Sequence, residues 1–345
     1  MFQKKFIPST VARMESQRLA PEQQAWLAEN LTRGVPPALL TERLVQEGVE
    51  SATARAAVEA TRHHPAVVAA TRVTQRQGEL RALFETYAAL HRQSGWNQRL
   101  ERRADLSASE FFERYYYAHR PVILQGRMKD WPAMDSWRPE RLAERFGDIP
   151  VEVMAGRESD PSHDIAPERF RSVMPLRDFI QRLLSGGPTN DLYLTARNFA
   201  LERPELRVMF EDLRPLEGLL RPVRDRTVKL WVGPAGTLTS LHHDLSNVLF
   251  AQVHGRKHFK LIPSFELHCL YNHHGVWSEV DATRPDFERF PAYRDVDLVE
   301  AVLEPGELLF IPVGWWHWVH ALDVSVSVSF QTFEVPGGNT PWRLL

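Results

Sequence analysis

The pattern of apolar and polar residues changes along the chain near residue 105. Before that point, apolar residues recur at the three- and four-residue spacing of a helix, for example over residues 36–48. Pro21 opens one such segment and Gly34 follows it, as is typical of the first turn and the end of a helix. The pattern predicts an α-helical module over residues 1–105.

A second pattern begins at residue 106. Helical segments first alternate with short apolar strands, such as residues 121–124. After residue 226, short β-branched and aromatic runs are separated by Gly, Pro, Asn and Asp, which is typical of an all-β sandwich or barrel. The sequence therefore predicts an α+β chain whose second domain, residues 106–345, has a β-core with flanking helices.

The composition is that of a folded protein, with 43% hydrophobic and 25% charged residues. The net charge of −2 would not draw the chain to nucleic acid or to an anionic membrane. No apolar run approaches the roughly 18 residues of a membrane span, so we expect neither partner. The single cysteine, Cys269, excludes an internal disulfide and a thiolate zinc cluster. Because the N-terminal residues also lack the apolar core of a secretory signal, we expect a cytoplasmic location.

Two histidines and one aspartate are spaced as ligands of a single metal ion. His242 and Asp244 are two residues apart in a predicted strand, so both side chains point to one face and His243 points away. His317 lies at the end of another apolar strand. Two imidazoles and a carboxylate form the facial triad of non-haem Fe(II) oxygenases, with positions open for substrate and dioxygen. The spacing also allows a set of core or surface histidines, since the chain contains 14.

The segments around these residues carry a resemblance to a known family. HDLSNVLFAQVHGRKHFKLIP and LEPGELLFIPVGWWHWV resemble the JmjC-type, cupin-like 2-oxoglutarate oxygenases. They are most similar to the hydroxylase branch, which includes the asparaginyl hydroxylase of hypoxia-inducible factor. The resemblance runs from about residue 107 to residue 334, from HRPVILQGRMKDWPAMDSW through SEVDATRPDFERFP to SVSVSFQTF. It leaves residues 1–105 uncovered.

The resemblance implies a double-stranded β-helix, a jelly-roll of the cupin type, that holds Fe(II) through His242, Asp244 and His317. It also implies a site for 2-oxoglutarate as cosubstrate, with no catalytic residue beyond the metal ligands. Lys257, in the segment QxxGxK, matches the family's salt-bridging lysine. The matching hydroxyl donors are Thr239 and Tyr193.

Three further residues are candidates for this site. Ser329 lies where relatives have Asn or Ser, so it could contact the cosubstrate or water. Asn247 lies one residue before the position where many relatives have Asn, and a shift of one residue on a strand reverses the face. Trp231, on the strand that leads to the triad, could line the substrate entrance or pack in the core.

The implied reaction is hydroxylation of a C–H bond, with release of succinate and CO2, by a 2-oxoglutarate-dependent dioxygenase. A protein or peptide side chain is the first choice of substrate. The alternatives are a small-molecule hydroxylase, an N-methyl-lysine demethylase and, without catalysis, a ligand-binding cupin. The helical module must bury its apolar stripes against something. We expect it to serve substrate recognition, homodimerisation or support of the core.

Overall fold

The computed structural model describes residues 19–95, 99–196, 199–222, 228–272 and 275–343. The chain forms two compact units, residues 1–86 and residues 87–345. The boundary predicted at residue 105 follows the change of composition, whereas the two compact units divide between Thr86 and Tyr87. The roles predicted for the helical module over residues 1–105 stay predictions.

The first unit is helical and is built around leucine and alanine contacts. Leu27, Leu40, Leu44, Ala54 and Val58 are buried together, because apolar residues at helical spacing share one face. The helices are α1 (Pro21–Thr32), α2 (Pro37–Gln46), α3 (Ser51–Arg62) and α4 (Pro65–Gln93), the last of which continues into the second unit.

One helix start differs from the sequence pattern. Serine is a residue type that often caps helices, so the sequence predicts Ser51 as the N-cap of α3. In the structure the cap is Glu50, whose carboxylate accepts hydrogen bonds from the backbone N–H groups of Ala52 and Thr53. These bonds, led by the one from Thr53, hold the pKa of Glu50 below its usual value. Within the residues described, no helix has both the length and the apolar character needed to cross a bilayer.

The second unit is a two-sheet sandwich. Six strands form one sheet in the order β1-β2-β11-β8-β13-β6, and four strands form the facing sheet in the order β10-β9-β12-β7. All neighbours are antiparallel except β1 and β2. The larger sheet consists of β1 (Arg102–Arg103), β2 (Val122–Leu124), β6 (Val228–Gly233), β8 (Val248–His254), β11 (Leu308–Ile311) and β13 (Ser325–Phe330); the smaller consists of β7 (Leu238–His243), β9 (Lys257–Ile262), β10 (Val299–Leu303) and β12 (Trp316–Ala321).

Both faces of the larger sheet are buried. Along β8, Val248 and Phe250 point into the space between the sheets, whereas Leu249 and Ala251 pack beneath the helices on the outer face. This explains why the strands are almost continuously apolar. The outer layer contains α5 (Ala108–Phe111), which continues as a π-helical turn to Tyr116, and α6 (Ala133–Ser136), α7 (Pro139–Phe146) and α8 (Leu176–Ser185), with a small sheet of β3 (Pro150–Ala155), β4 (Arg171–Pro175) and β5 (Leu192–Tyr193).

The predicted fold class is confirmed: the chain is α+β, with a jelly-roll core, flanking helices and an N-terminal helical region. Strand β7 lies at the edge of the four-stranded sheet. Its pairing with β12 contains an irregularity, since His317 faces His242 while Val319 faces Thr239. The extra residue on β7 is a β-bulge, which re-aims the side chains on either side of it.

Candidate functional site

The two predicted histidine ligands face each other across β7 and β12. His242 and His317 are register partners, and their ring centroids are 4.2 Å apart. Asp244 follows directly after the end of β7, and its Oδ2 lies 3.7 Å from His317 Nε2. One ligand atom from each of the three side chains lies within 4.8 Å of the others. The structure therefore brings the predicted triad together.

Hydrogen bonds fix which nitrogen of each histidine faces the cluster. His242 Nδ1 lies 2.8 Å from the carbonyl oxygen of Ser240, and His317 Nδ1 lies 3.1 Å from that of Trp315. Because a carbonyl only accepts, each Nδ1 is the donor, and the Nε2 lone pair remains for a metal. Burial, with the neighbouring imidazole of His242 adding to its effect, lowers the pKa of His317 to about 4. That imidazole is neutral at neutral pH, as a metal ligand must be.

His243 occupies the opposite face of the strand. It pairs in register with Trp316, and its ring lies 4.8 Å from that of Trp316 and 4.9 Å from that of Trp342. Burial lowers its pKa, so it is a neutral side chain packed between indoles. It serves as a natural control for the two ligand histidines.

Two adjoining cavities lie at the triad: His242 and Asp244 line both of them, and His317 lines the inner one. The outer cavity has a volume of about 270 Å³ and the inner one about 40 Å³. Both are lined by Tyr193, Trp231, Thr239, His242, Asp244, Val248 and Ser329, and the inner one also by Lys257 and His317. A larger cavity of about 1020 Å³ lies elsewhere in the chain, and no predicted site residue lines it.

Lys257 is buried at the inner end of this space, at the start of β9. Its Nζ donates to the hydroxyl oxygen of Tyr193 at 3.1 Å, and the Thr239 side chain is hydrogen-bonded to the same tyrosine. Among the residues that the structure describes, no carboxylate lies within ion-pair distance of Lys257. Burial lowers the pKa of Lys257 to about 7 and raises that of Tyr193. The arrangement is a buried cation beside two hydroxyl groups, which fits the far carboxylate of a dicarboxylate ligand.

The three further candidates have different surroundings. Trp231 and Ser329 both line the cavities, and Trp231 Nε1 lies 3.4 Å from Ser329 Oγ. Asn247 lines neither cavity. Its amide oxygen accepts from the N–H of Val313 at 2.9 Å, and its amide nitrogen donates to Asn339 Oδ1 at 2.8 Å. These two bonds tie the amide of Asn247 to the loops around the site, and a contact of Asn247 with the cosubstrate stays a prediction.

A buried ionic cluster that the sequence did not reveal supports the outer edge of β7. Arg157, which is fully buried, donates to Asp164 Oδ1 at 3.0 Å and to the carbonyl oxygen of Leu238 at 2.8 Å. Asp164 Oδ2 accepts from the N–H of Ser240 at 2.9 Å, and Asn190 Oδ1 accepts from the N–H of Leu238 at 2.8 Å. Side chains thus satisfy the backbone of a strand that, among the described residues, lies at the edge of its sheet.

The same cluster reaches the cosubstrate side of the site. The Arg157 guanidinium carbon lies 5.2 Å from the centre of the Tyr193 ring. Burial opposes ionisation of Asp164, but His163, whose Nε2 lies 3.4 Å from Asp164 Oδ2, and the positive charge of Arg157 outweigh it and hold the pKa of Asp164 well below its usual value. Arg157 and Asp164 are only seven residues apart, but Asn190 and the β7 backbone groups that they bind lie 33 to 81 residues away. No local sequence signal could therefore have identified the cluster.

We expect Asp164→Asn to destabilise the protein by about 3–5 kcal/mol, because it leaves the buried charge of Arg157 uncompensated. The pKa of Asp164 is depressed in the folded state. Its stabilisation is therefore complete above the unfolded-state pKa of about 4 and is lost as the pH falls. Urea denaturation at several pH values measures both effects, and the variant should show a shallower acid limb than wild type.

An exposed pair provides the matched control for this substitution. Arg256 and Asp323 form a bidentate pair at 2.8 and 3.2 Å, with side chains 48% and 41% exposed. Asp323→Asn should cost no more than about 1 kcal/mol, since solvent screens exposed pairs. Equal effects of the two substitutions would contradict a special role for the buried pair.

Comparisons with known proteins agree with this geometry. The cupin-like domain family matches residues 108–331. The chain is 32% identical over 233 residues to Lysine-specific demethylase 8 of Xenopus tropicalis, which covers 65% of this chain and 50% of that protein. It is 31% identical over 242 residues to Lysine-specific demethylase JMJ30 of Arabidopsis thaliana (68% and 54% covered) and 40% identical over 236 residues to the HSPB1-associated protein 1 homolog of Danio rerio (61% and 51%). The chain spans about half the length of these curated relatives.

The relatives support the JmjC oxygenase superfamily as a whole and not specifically the asparaginyl hydroxylase branch. JmjC-type cupin oxygenases use Fe(II) and 2-oxoglutarate, so the prediction of these cofactors is confirmed. The donor set also fits them, because two imidazoles and a carboxylate suit Fe(II) and a buried cation suits a dicarboxylate. With the match covering most of its second unit, the chain belongs to the cupin-like domain family, among the JmjC-type oxygenases.

Proposed function

We propose that the protein is an Fe(II)- and 2-oxoglutarate-dependent oxygenase that hydroxylates a C–H bond on a protein side chain. One observation carries the proposal: a cluster of two imidazole Nε2 atoms and one carboxylate lines the same cavity as a buried lysine. Packing alone does not explain this combination, since a buried lysine without a carboxylate partner destabilises the fold. A ligand-binding cupin would need the lysine without requiring the metal ligands.

Three side chains would hold the metal. His242 and His317 present Nε2 atoms whose orientation is fixed by their Nδ1–H bonds to backbone carbonyls. Asp244 supplies the charge that favours a divalent cation. When bound, Fe(II) with 2-oxoglutarate and dioxygen supplies the oxidation of a C–H bond, with one oxygen atom passed to the substrate and the other to succinate as CO2 leaves.

The cosubstrate would lie between the metal ligands and Lys257. The ammonium group pairs with the far carboxylate, and the hydroxyls of Tyr193 and Thr239 lie next to it. Phe250 and Phe259, which also line the inner cavity, exclude water from this pairing and strengthen it. These residues bind and orient, and no protein group acts as a general base.

The lining of the outer cavity supports hydroxylation of a side chain that is not cationic. Its two described carboxylates are already engaged, Asp164 with Arg157 and Asp244 in the triad. Lys229 brings a positive charge to the same lining. A methylated lysine would place like charge beside like charge, which opposes its binding.

Demethylation is the second candidate, because relatives are named lysine-specific demethylases. It uses the same C–H oxidation, applied to an N-methyl carbon, after which formaldehyde leaves. Hydroxylation of a small molecule would need no protein partner. The three reactions therefore differ in what enters the outer cavity and not in the triad or the lysine.

We expect the iron-loaded protein to form succinate from 2-oxoglutarate slowly without substrate and faster with it. Proteins captured on the Mn(II)-substituted protein are then treated with the Fe(II) form and digested for mass spectrometry. A gain of one oxygen atom on a peptide supports hydroxylation. Loss of a methyl group with release of formaldehyde would indicate demethylation in place of hydroxylation. Absence of succinate under all conditions would favour a ligand-binding cupin without catalysis.

A further inference from the structure

An indole covers one of the two histidine ligands. The ring of Trp277 lies on that of His242, with centroids 4.6 Å apart and planes inclined by 26°. This is the stacked geometry in which aromatic rings attract one another. Trp277 is half-buried and lines the outer cavity.

The backbone around Trp277 explains how the indole comes to lie there. His243 donates its N–H to the carbonyl oxygen of Val276 at 3.1 Å, and Ser278 donates its N–H to that of Leu241 at 2.9 Å. Trp277 and His242 form a β-bridge between these bonds. The segment thus extends the open edge of β7 by one short bridge. The position of the indole is set by main-chain bonds that do not depend on its side chain.

The imidazole of His242 is consequently held on several sides. Its Nδ1 bonds to the carbonyl oxygen of Ser240 at 2.8 Å, its ring lies 4.2 Å from that of His317, and the indole of Trp277 covers it. A single hydrogen bond leaves the ring free to swing about that bond. A flat contact restricts this swing, since rotation would separate the two ring faces.

We propose that Trp277 is a positioning residue for the metal site: it holds the imidazole plane of His242 so that Nε2 points at the cluster before the metal binds. The proposal rests on the metal site of the proposed function. Groups that orient a metal ligand in advance raise metal affinity, and their loss typically costs about 10- to 100-fold.

The chain contains a matched control. Trp342 lies beside the neighbouring histidine, His243, with ring centroids 4.9 Å apart. Both tryptophans therefore contact an imidazole of β7, but His243 lies outside the triad. Removing either indole changes the packing around β7, and only the removal of Trp277 changes the surroundings of a ligand.

The test is Co(II) titration of the metal-free full-length protein by calorimetry. We expect Trp277→Leu and Trp277→Met to weaken Co(II) binding by about tenfold or more. Trp277→Phe, which keeps a flat ring, and Trp342→Leu should both stay within about threefold of wild type. The visible spectrum of bound Co(II) gives a second readout, and it should change in the Leu and Met variants but not in the Phe variant. Circular dichroism establishes that each variant is folded.

The proposal is rejected if Trp277→Leu and Trp277→Met bind Co(II) as tightly as wild type, or if Trp277→Phe binds it as weakly as Trp277→Leu. It is also rejected if Trp342→Leu weakens Co(II) binding as much as Trp277→Leu does. Two different apolar replacements keep the result independent of a folding defect in one of them. Failure of the wild-type protein to bind Co(II) would instead remove the metal site itself. That outcome is visible without any variant, so it is distinguished from failure of the positioning role.

Discussion

His242→Ala, Asp244→Ala and His317→Ala should each abolish substrate-dependent succinate formation while the fold is retained. Each substitution removes one of three ligands whose donor atoms lie within 4.8 Å of one another. Two remaining ligands hold a divalent ion weakly, and the open positions needed for the reaction lose their geometry. Succinate formation, Co(II) affinity and circular dichroism together separate loss of metal from loss of fold.

His243→Ala is the control for this series. It removes the same side chain one residue away, from the face where Trp316 and Trp342 pack. We expect measurable turnover and Co(II) affinity close to wild type, with some loss of stability from the cavity left behind. An inactive His243→Ala beside an active His242→Ala would mean that the strand register deduced for β7 is wrong.

The alternation of side chains along a strand explains only part of why the predicted triad forms. The alternation of a strand placed His242 and Asp244 on one face, yet β7 ends at His243 and Asp244 lies just beyond it. The pairing of His317 with His242 comes from the register of two strands far apart in sequence. Only the family resemblance could supply that contact before the fold was known.

A β-bulge is the feature of the site that period-two reasoning misses. Thr239 and His242 are three residues apart, which would put them on opposite faces of a regular strand. The irregularity between β7 and β12 brings both into the lining of the same cavities. Because bulges arise from pairing and not from composition, the residues of β7 carry no separate sign of it.

The remaining differences between the predicted and the observed site arise from tertiary contacts. Asp164 and Asn190 bind the backbone of β7, with sequence separations of 76 and 48 residues. Asn247 precedes β8 and turns its amide to the loop at Val313. Buried polar groups choose partners wherever the fold offers them, so the polar surroundings of the site are harder to predict than its apolar strands.

Lys257→Ala should raise the apparent KM for 2-oxoglutarate strongly. Lys257 is 1% exposed. It is the only lysine or arginine among the described residues that line the inner cavity, so in the variant a carboxylate bound there would have no close cation. The cost of leaving a buried charge unpaired is about 3 kcal/mol, which corresponds to a change on the order of 100-fold. Lys260→Ala is the control: it lies on the same strand, and its Nζ donates to the carbonyl oxygen of Ala282. It should leave the KM unchanged.

The pH dependence of cosubstrate binding tests whether the charge of Lys257 is responsible. Burial lowers its pKa to about 7, so above that pH the free protein holds a neutral amine and must take up a proton to pair with a carboxylate. The 2-oxoglutarate dissociation constant should therefore rise with pH above about 7, by up to about tenfold per pH unit. Lys257→Arg keeps its charge at all accessible pH values and should lose this rise, as should Lys257→Ala, whose binding is weak throughout. Calorimetric titration of the Co(II)-loaded proteins with 2-oxoglutarate measures all three curves. A wild-type curve parallel to that of Lys257→Ala would exclude the ammonium group from the cosubstrate site.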